Sequence, residues 1–306
     1  MGRSFKEYLV IGLKGMAMGA ADVVPGVSGG TIAFISGIYE ELLVAISNVN
    51  LKLLKTLKSE GIKAAWHQVN GSFLLSLFSG IFISILSLAK TIKWLLENEP
   101  VLLWSFFFGL VLASIIYIGK QVKTWNFKMI ILLILGSLFG YVVTILPPTN
   151  VGEINYLFLV FAGAIASCAM ILPGISGSYI LLLLGAYAMV MTAITIRDYK
   201  IIGAIALGVV IGLLSFARLL KWLFLNFKNQ MLIVLTGLML GSLNKVWPWK
   251  EAISTYVDRH GATKALVEQS VSPFSFDGDS KLMFAVFFAI VGFGLILLME
   301  KLAEKK

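Results

Sequence analysis

Two short runs of matching residues recur 148 positions apart: Pro25-Gly26-Val27-Ser28-Gly29-Gly30-Thr31 and Pro173-Gly174-Ile175-Ser176-Gly177-Ser178. Proline ends a helix, and the glycines let the backbone come close to a ligand. A helix that restarts after such a break presents unpaired N–H groups and the positive end of its dipole, which suits an anion such as phosphate. The hydroxyls of Ser28, Thr31, Ser176 and Ser178 add donors, beside the N–H groups of Gly29, Gly30 and Gly177. These residues form the candidate phosphate-binding set. The same residue types also suit a tight turn, with glycine permitting helix packing and serine capping the next helix. Recurrence at matching positions favours the binding site.

Few charges lie near the motifs. Asp22 stands three residues before Pro25, with Met170 at the matching place in the second copy. A carboxylate in an apolar run is costly unless it is paired, wetted or protonated. It therefore suits a proton carrier, a sodium ligand or a cap on the following turn, and any coupling site would be asymmetric. Lys14, eight residues earlier, is expected to snorkel to the interface. Lys90/Lys93 and Arg218/Lys221, each pair followed by Trp, are expected to anchor helix ends at the membrane surface. Arg218 is the best cation among them for an anionic head group, since a guanidinium grips phosphate bidentately. Glu40 and Glu41 are expected at the polar end of the first motif region. The single cysteine, Cys168, excludes an internal disulfide and a cysteine metal cage; His67 and His260 lie in separate polar stretches. No metal site and no cofactor are expected.

The elements that position these residues are helices in a membrane. Hydrophobic residues make up 58% of the 306-residue chain and charged residues 13%, where a soluble domain runs near 25% charged. The mean hydropathy is +0.92. Apolar runs near the length of a bilayer crossing, about 20 residues, cover 72–89, 101–119, 129–146, 201–217, 231–247 and 282–299. The motif regions, about 5–47 and 156–195, read as two helical hairpins folded at their Pro-Gly turns, either spanning or re-entrant. Non-helical backbone at membrane depth is tolerated only inside protein or along a wet cavity. Interrupted helices at corresponding places in two halves point to a transporter's site. Polar connections are the basic 52–67 segment and a long loop, 248–280. Gly136-x-x-x-Gly140 suggests close helix packing. No cleavable signal is evident in 1–21, whose apolar stretch is interrupted before the first break.

The duplication reaches beyond the motifs. Residues 15–39 match 163–187 at nine of 25 positions, and 80–114 match 208–242 at 13 of 35. The shared Lys93/Lys221, Trp94/Trp222 and Asn98/Asn226 argue against chance apolar similarity. The chain thus reads as one integral membrane domain, 1–306, with internal repeats about 5–146 and 156–299. Each repeat is a hairpin plus three crossings, an odd number, so the second lies inverted relative to the first. Placing both termini and the loops bearing Lys52/Lys55/Lys58/Lys63 and Lys120/Lys123/Lys128 in the cytoplasm satisfies the positive-inside bias; Lys90/Lys93 and Arg197/Lys200 are exceptions. The net charge of +9 then reports cytoplasmic loops facing anionic membrane lipid, and nucleic acid is not an expected partner. The expected fold is all-α and polytopic: an inverted repeat with two broken hairpins and about six transmembrane helices.

The run from Gly15 to Thr31, with Ile171-Leu172-Pro173-Gly174-Ile175-Ser176-Gly177-Ser178, resembles a prokaryotic family of undecaprenyl-phosphate (polyprenyl-phosphate) translocases over essentially the whole chain. The resemblance implies a flippase of the bacterial cytoplasmic membrane. Such a protein returns the C55 lipid carrier from the outer to the cytoplasmic leaflet, sustaining peptidoglycan and other envelope synthesis. Undecaprenyl phosphate or a related polyprenyl phosphate would be the partner, with H+ or Na+ as coupling ion. The residue assignments rest on the motif argument, not on the resemblance. Undecaprenyl-pyrophosphate phosphatases also use inverted repeats and a Pro-Gly-x-Ser-Arg-Ser motif. Here Gly29 and Gly177 stand where that arginine would be, so phosphate cleavage would lack its main electrostatic stabiliser, and no enzyme activity is expected. A secondary transporter of a small anion is the remaining alternative, because a helix-terminus site is indifferent to the tail.

Overall fold

With no water in hydrocarbon, backbone N–H and C=O groups must pair internally, so apolar runs of this length become helices. The computed structural model describes residues 3–24, 27–149, 155–257 and 263–304. The first hairpin region forms α1 (Phe5–Val23), α2 (Gly29–Ile35) and α3 (Tyr39–Ser47). The second forms α9 (Tyr156–Ile171), α10 (Gly177–Leu183) and α11 (Tyr187–Ile196). Between them run α4 (Leu51–Ser59), α5 (Gly61–Gln68), α6 (Gly71–Asn98), α7 (Pro100–Gln121) and α8 (Phe127–Ile145). Then come α12 (Tyr199–Ser242), a 3-10 turn (Leu243–Val246), strands β1 (Lys250–Val257) and β2 (Thr263–Ser270), and α13 (Leu282–Glu304). The protein is an all-α polytopic membrane protein with one small β-hairpin.

Three details differ from the sequence expectation. The runs at 201–217 and 231–247 lie on one helix, α12, of 44 residues. At 1.5 Å per residue it would extend about 66 Å, roughly twice the hydrocarbon core. It breaks at Phe227, with φ −137 and ψ 44. Glu99, 128 positions earlier between α6 and α7, has φ −135 and ψ 50. Pro100 has no N–H to give and Lys228 has one, so only the second junction carries helical bonding through its bend. Among the described residues, four helices are long and apolar enough to cross a membrane, α6, α7, α8 and α12, or six if each bent pair α2–α3 and α10–α11 counts as one span; the apolar part of α13, Leu282–Leu298, is shorter.

The 248–280 segment contains an antiparallel hairpin rather than loop alone, with Lys250 opposite Ser270 and Val257 opposite Thr263. Ile253, Thr255, Tyr256 and Val257 are the β-branched and aromatic types that suit a pleated surface. Finally, each motif region bends twice. Besides the Pro-Gly turn, α2 meets α3 at 117° and α10 meets α11 at 108°. The bends pivot on Gly37 (φ +73) and Gly185 (φ +70), a left-handed backbone that glycine adopts without strain.

Packing is by close-approaching pairs. α1 runs along α6, and α9 along the first arm of α12; α7 runs along α13, and α8 along the second arm. A Cβ on Gly80 would strike the Gly12 carbonyl, and one on Gly208 the Val160 carbonyl. The sequence-predicted contact at Gly136 and Gly140 is made, against the carbonyls of Val234 and Leu238 on α12.

Polar contacts gather at opposite ends of the bundle. At one end Arg3 grips Glu41 with both guanidinium nitrogens, Asn70 donates to Glu41, Lys228 pairs with Glu40, and Asn229 accepts from the Lys123 N–H. The two glutamates thus lie at the polar end of the first hairpin. At the other end of α7, Lys281 pairs with Glu99 and Trp249 donates to the Ser280 carbonyl. α4 and α5 fill the basic 52–67 stretch, exposing Leu51, Leu54, Ile62 and Trp66 beside Lys52, Lys55, Lys58 and Lys63. That mixture suits the membrane interface.

Candidate substrate-binding site

The two motif turns meet. Ser28 Oγ donates to the Met170 carbonyl at 3.1 Å and lies 3.2 Å from that of Leu172, the last residues before the second Pro-Gly. In return the Gly174 N–H donates to Thr31 Oγ1 at 2.9 Å. Gly30 has no room for a Cβ, which would fall 3.0 Å or less from the Ile171 and Met170 carbonyls. Gly174, at φ +90, makes the second turn; Pro25 and Gly26 of the first lie outside the described residues.

The copies are not equivalent. In the first, the Gly29 N–H donates to Asp22 Oδ1 at 2.6 Å. The Gly30 N–H donates to Ser28 Oγ at 3.1 Å, and the Thr31 N–H to the Ser28 carbonyl at 2.9 Å. The first-turn donors of α2 are therefore satisfied from within, with the Asp22 carboxylate standing where an external anion would go. Of the roles left open for Asp22, the cap is the one made here. All seven residues of α2 are buried. Lys14 does not snorkel; its Nζ donates to the Ser36 carbonyl at the far end of α2, where the dipole is negative.

In the second copy Met170 stands in the place of Asp22 and brings no carboxylate. No side chain caps α10; Ser176 Oγ instead shares a 2.9 Å hydrogen bond with Ser178 Oγ. Only Leu183 of α10 is buried, and Ser178 is exposed. Ser178 thus stands at an open edge, with Gly177 half-buried and Ser176 buried behind it, while Ser28, Gly29, Gly30 and Thr31 are all closed.

Arg218 is not brought to the turns. It lies exposed on α12, and its Nη2 donates to the Val49 carbonyl just beyond α3. Sequence reasoning instead missed the cations beside the open edge. Lys245 Nζ sits 4.6 Å from the ring centroid of Tyr179, the residue after Ser178. Tyr179 Oη donates to the Thr144 carbonyl, and Asn244 to Thr144 Oγ1. The only available signal was a lone lysine closing the apolar run 231–247. Among the described residues, no group of three His, Cys, Asp or Glu side chains is placed to hold a metal.

The arrangement offers fixed hydrogen-bond donors at the junction of two interrupted helices, open on one side and closed on the other. Other chains resemble this one in sequence. Residues 18–264 match the VCA0040-like family model, described as undecaprenyl phosphate translocase-like. A polyprenyl-phosphate transporter of Vibrio cholerae serotype O1 is 47% identical over 303 residues, 98% of each chain. A polyprenyl-phosphate transporter of Staphylococcus aureus is 32% identical over 256 residues, 77% of this chain and 85% of that one. No solved structure matches. With most of its length matched by the family model and nearly all of it by a relative, this chain belongs to the undecaprenyl phosphate translocase-like family.

Proposed function

We propose that this protein carries undecaprenyl phosphate, or a related polyprenyl phosphate, across the bacterial cytoplasmic membrane, returning it from the outer to the inner leaflet without chemistry on the phosphate. Family membership and the names of the relatives support the substrate. A naked phosphate cannot cross hydrocarbon at tolerable cost, so the head needs a polar path while the tail stays in lipid. The carrying observation is the interlock of the two turns with only the second one open.

In this reading the two halves, about 5–146 and 156–299, form an inverted repeat with both termini cytoplasmic. Matching backbone angles at Glu99 and Phe227, and at Gly37 and Gly185, support it. The head group first engages Ser176, Gly177 and Ser178. It then passes to Ser28, Gly29, Gly30 and Thr31 once Asp22 leaves the Gly29 N–H. Protonation or sodium binding would remove the charge that holds Asp22 there, which couples the transfer to an ion gradient. Arg218 has no part in the handover; it braces α12 against α3.

The test is leaflet-resolved flux of the carrier lipid in proteoliposomes. Ser176→Ala combined with Ser28→Ala is expected to lower transport at least tenfold, the scale of one or two charge-assisted hydrogen bonds. Wild-type flux in the double variant would reject this role for the serines.

A further inference from the structure

Beside α10, at the end of the bundle that carries the β-hairpin, lies a cleft of about 310 Å³. Its polar lining includes Thr144, Tyr179, Asn244, Lys245, Glu268 and Ser270. Lys245 Nζ stands 3.5 Å from Glu268 Oε2. Behind it Lys250 Nζ lies 3.8 Å from the same oxygen, donates to the Lys245 carbonyl at 2.6 Å, and sits 4.0 Å from the Trp104 ring centroid. The side chains of Lys245 and Lys250 are 20% and 8% exposed. One carboxylate thus faces two sheltered ammoniums and leaves an excess positive charge, in surroundings where an uncompensated charge is expensive.

The cleft does not stop at water. Tyr141 and Asn244 also line an adjoining groove of about 460 Å³ whose other walls include Leu133, Ile134, Leu138 and Leu240. Ile134, Leu138 and Leu240 are among the exposed apolar residues of α8 and α12, on the side that faces lipid in a membrane. A doubly anionic pocket-filler joined to an apolar tail matches the pair of cavities in charge and in shape.

We infer that Lys245 and Lys250 form a capture site for the phosphate monoester head of a prenyl lipid, with the first isoprene units lying in the groove between α8 and α12. This rests on the carrier reading above and specifies where the lipid is taken up before it reaches Ser178, one residue from Tyr179. Glu268 bridges both ammoniums, and an arriving phosphate, carrying about two negative charges near neutral pH, displaces it. Tyr179 Oη and the Asn244 amide are within the same lining and can turn their donors from Thr144 to the phosphate. Burial, opposed by Glu268 and reinforced by Lys245, lowers the Lys250 ammonium to about 8. Lys250 is therefore still mostly protonated at neutral pH and loses its proton not far above it.

The experiment measures farnesyl phosphate binding to the purified full-length protein in detergent, with farnesol and inorganic phosphate as competitors. Lys245→Gln and Lys250→Gln are each expected to weaken binding about tenfold or more, Lys245→Arg to restore most of it, and Glu268→Gln to tighten it. Neither competitor alone is expected to displace the probe at comparable concentration. Displacement by inorganic phosphate with equal potency would assign the pocket to a free anion and overturn the lipid assignment. Unchanged affinity in both glutamine variants, with the wild type binding and transporting, would overturn this site alone. A wild type that neither binds nor transports the lipid would overturn the carrier reading beneath it.

Discussion

At the scale of single residues, the protein separates donors that are used from donors that are offered. Asp22 and Ser28 hold the N–H groups of Gly29 and Gly30, whereas Met170 leaves α10 without a carboxylate of its own. The exchange of Asp22 for Met170 is thus one difference between the turns, beside Gly30 for Ser178 and Thr31 for Tyr179. Lys250 shows the same economy of charge. Its pKa is lowered to about 8 from the usual 10.5, chiefly by burial, with Glu268 raising it and Lys245 lowering it further. Between those values the unfolded chain holds a proton that the folded protein does not, so stability rises with pH through that window, and below about 8 the full cost is present. Replacing Lys250 by Met removes that dependence. Thermal melts in detergent from pH 7 to 10.5 are expected to show the wild type gaining on Lys250→Met by on the order of 3 kcal/mol. Parallel curves would mean that the amine is better hydrated than its 8% exposure indicates.

At the scale of elements, close helix pairs fix where the motifs sit. α1 and α9 each lie on a long helix through a glycine that admits no side chain, Gly80 and Gly208 respectively. Gly80→Leu is expected to abolish folded, monodisperse protein, because its side chain would meet the Gly12 carbonyl and the Met16 amide. Gly203, also helical, has nothing near its absent Cβ. Gly203→Ala is expected to leave folding intact and add up to about 1 kcal/mol, the difference in helix propensity. Size-exclusion profiles and melting temperatures check both. Much of this level was legible in advance, since apolar length, glycine spacing and the paired motifs all follow from local chemistry. The bend at Phe227 and the bends at Gly37 and Gly185 were not, because several backbone outcomes fit the same hydropathy. The strands at 250–270 are hard to see in the sequence for a related reason: their alternating pattern is short and lies amid charges. The motif residues of the proposed site are legible as residue types, but the Lys245–Lys250–Glu268 cluster joins segments whose meeting depends on tertiary packing.

At the scale of the whole molecule, the question is whether the closed and open turns exchange roles. α2 is wholly buried, while α10 packs mainly on α9 and keeps one buried residue. In the inverted-repeat reading proposed above, a second arrangement with the roles of the two turns reversed is available. The difference is held by few contacts: Asp22 to Gly29, Ser28 to Met170 and Leu172, and Thr31 to Gly174. Cysteine accessibility reads this exchange directly in a Cys168→Ser background. Ser178→Cys, exposed, is expected to react with an impermeant maleimide from the side bearing the β-hairpin, and Ala33→Cys, 0% exposed, from neither side. Adding Asp22→Ala removes the internal carboxylate, and labelling of Ala33→Cys is then expected to rise from the opposite side as that of Ser178→Cys falls. A ligand or substitution can shift such a balance only by the difference it makes between the two arrangements. Reciprocal changes at the two positions would therefore identify Asp22 as the group that biases them. Equal labelling with and without Asp22 would show that the asymmetry is a fixed feature of the fold, and that the handover between the turns does not run through this carboxylate.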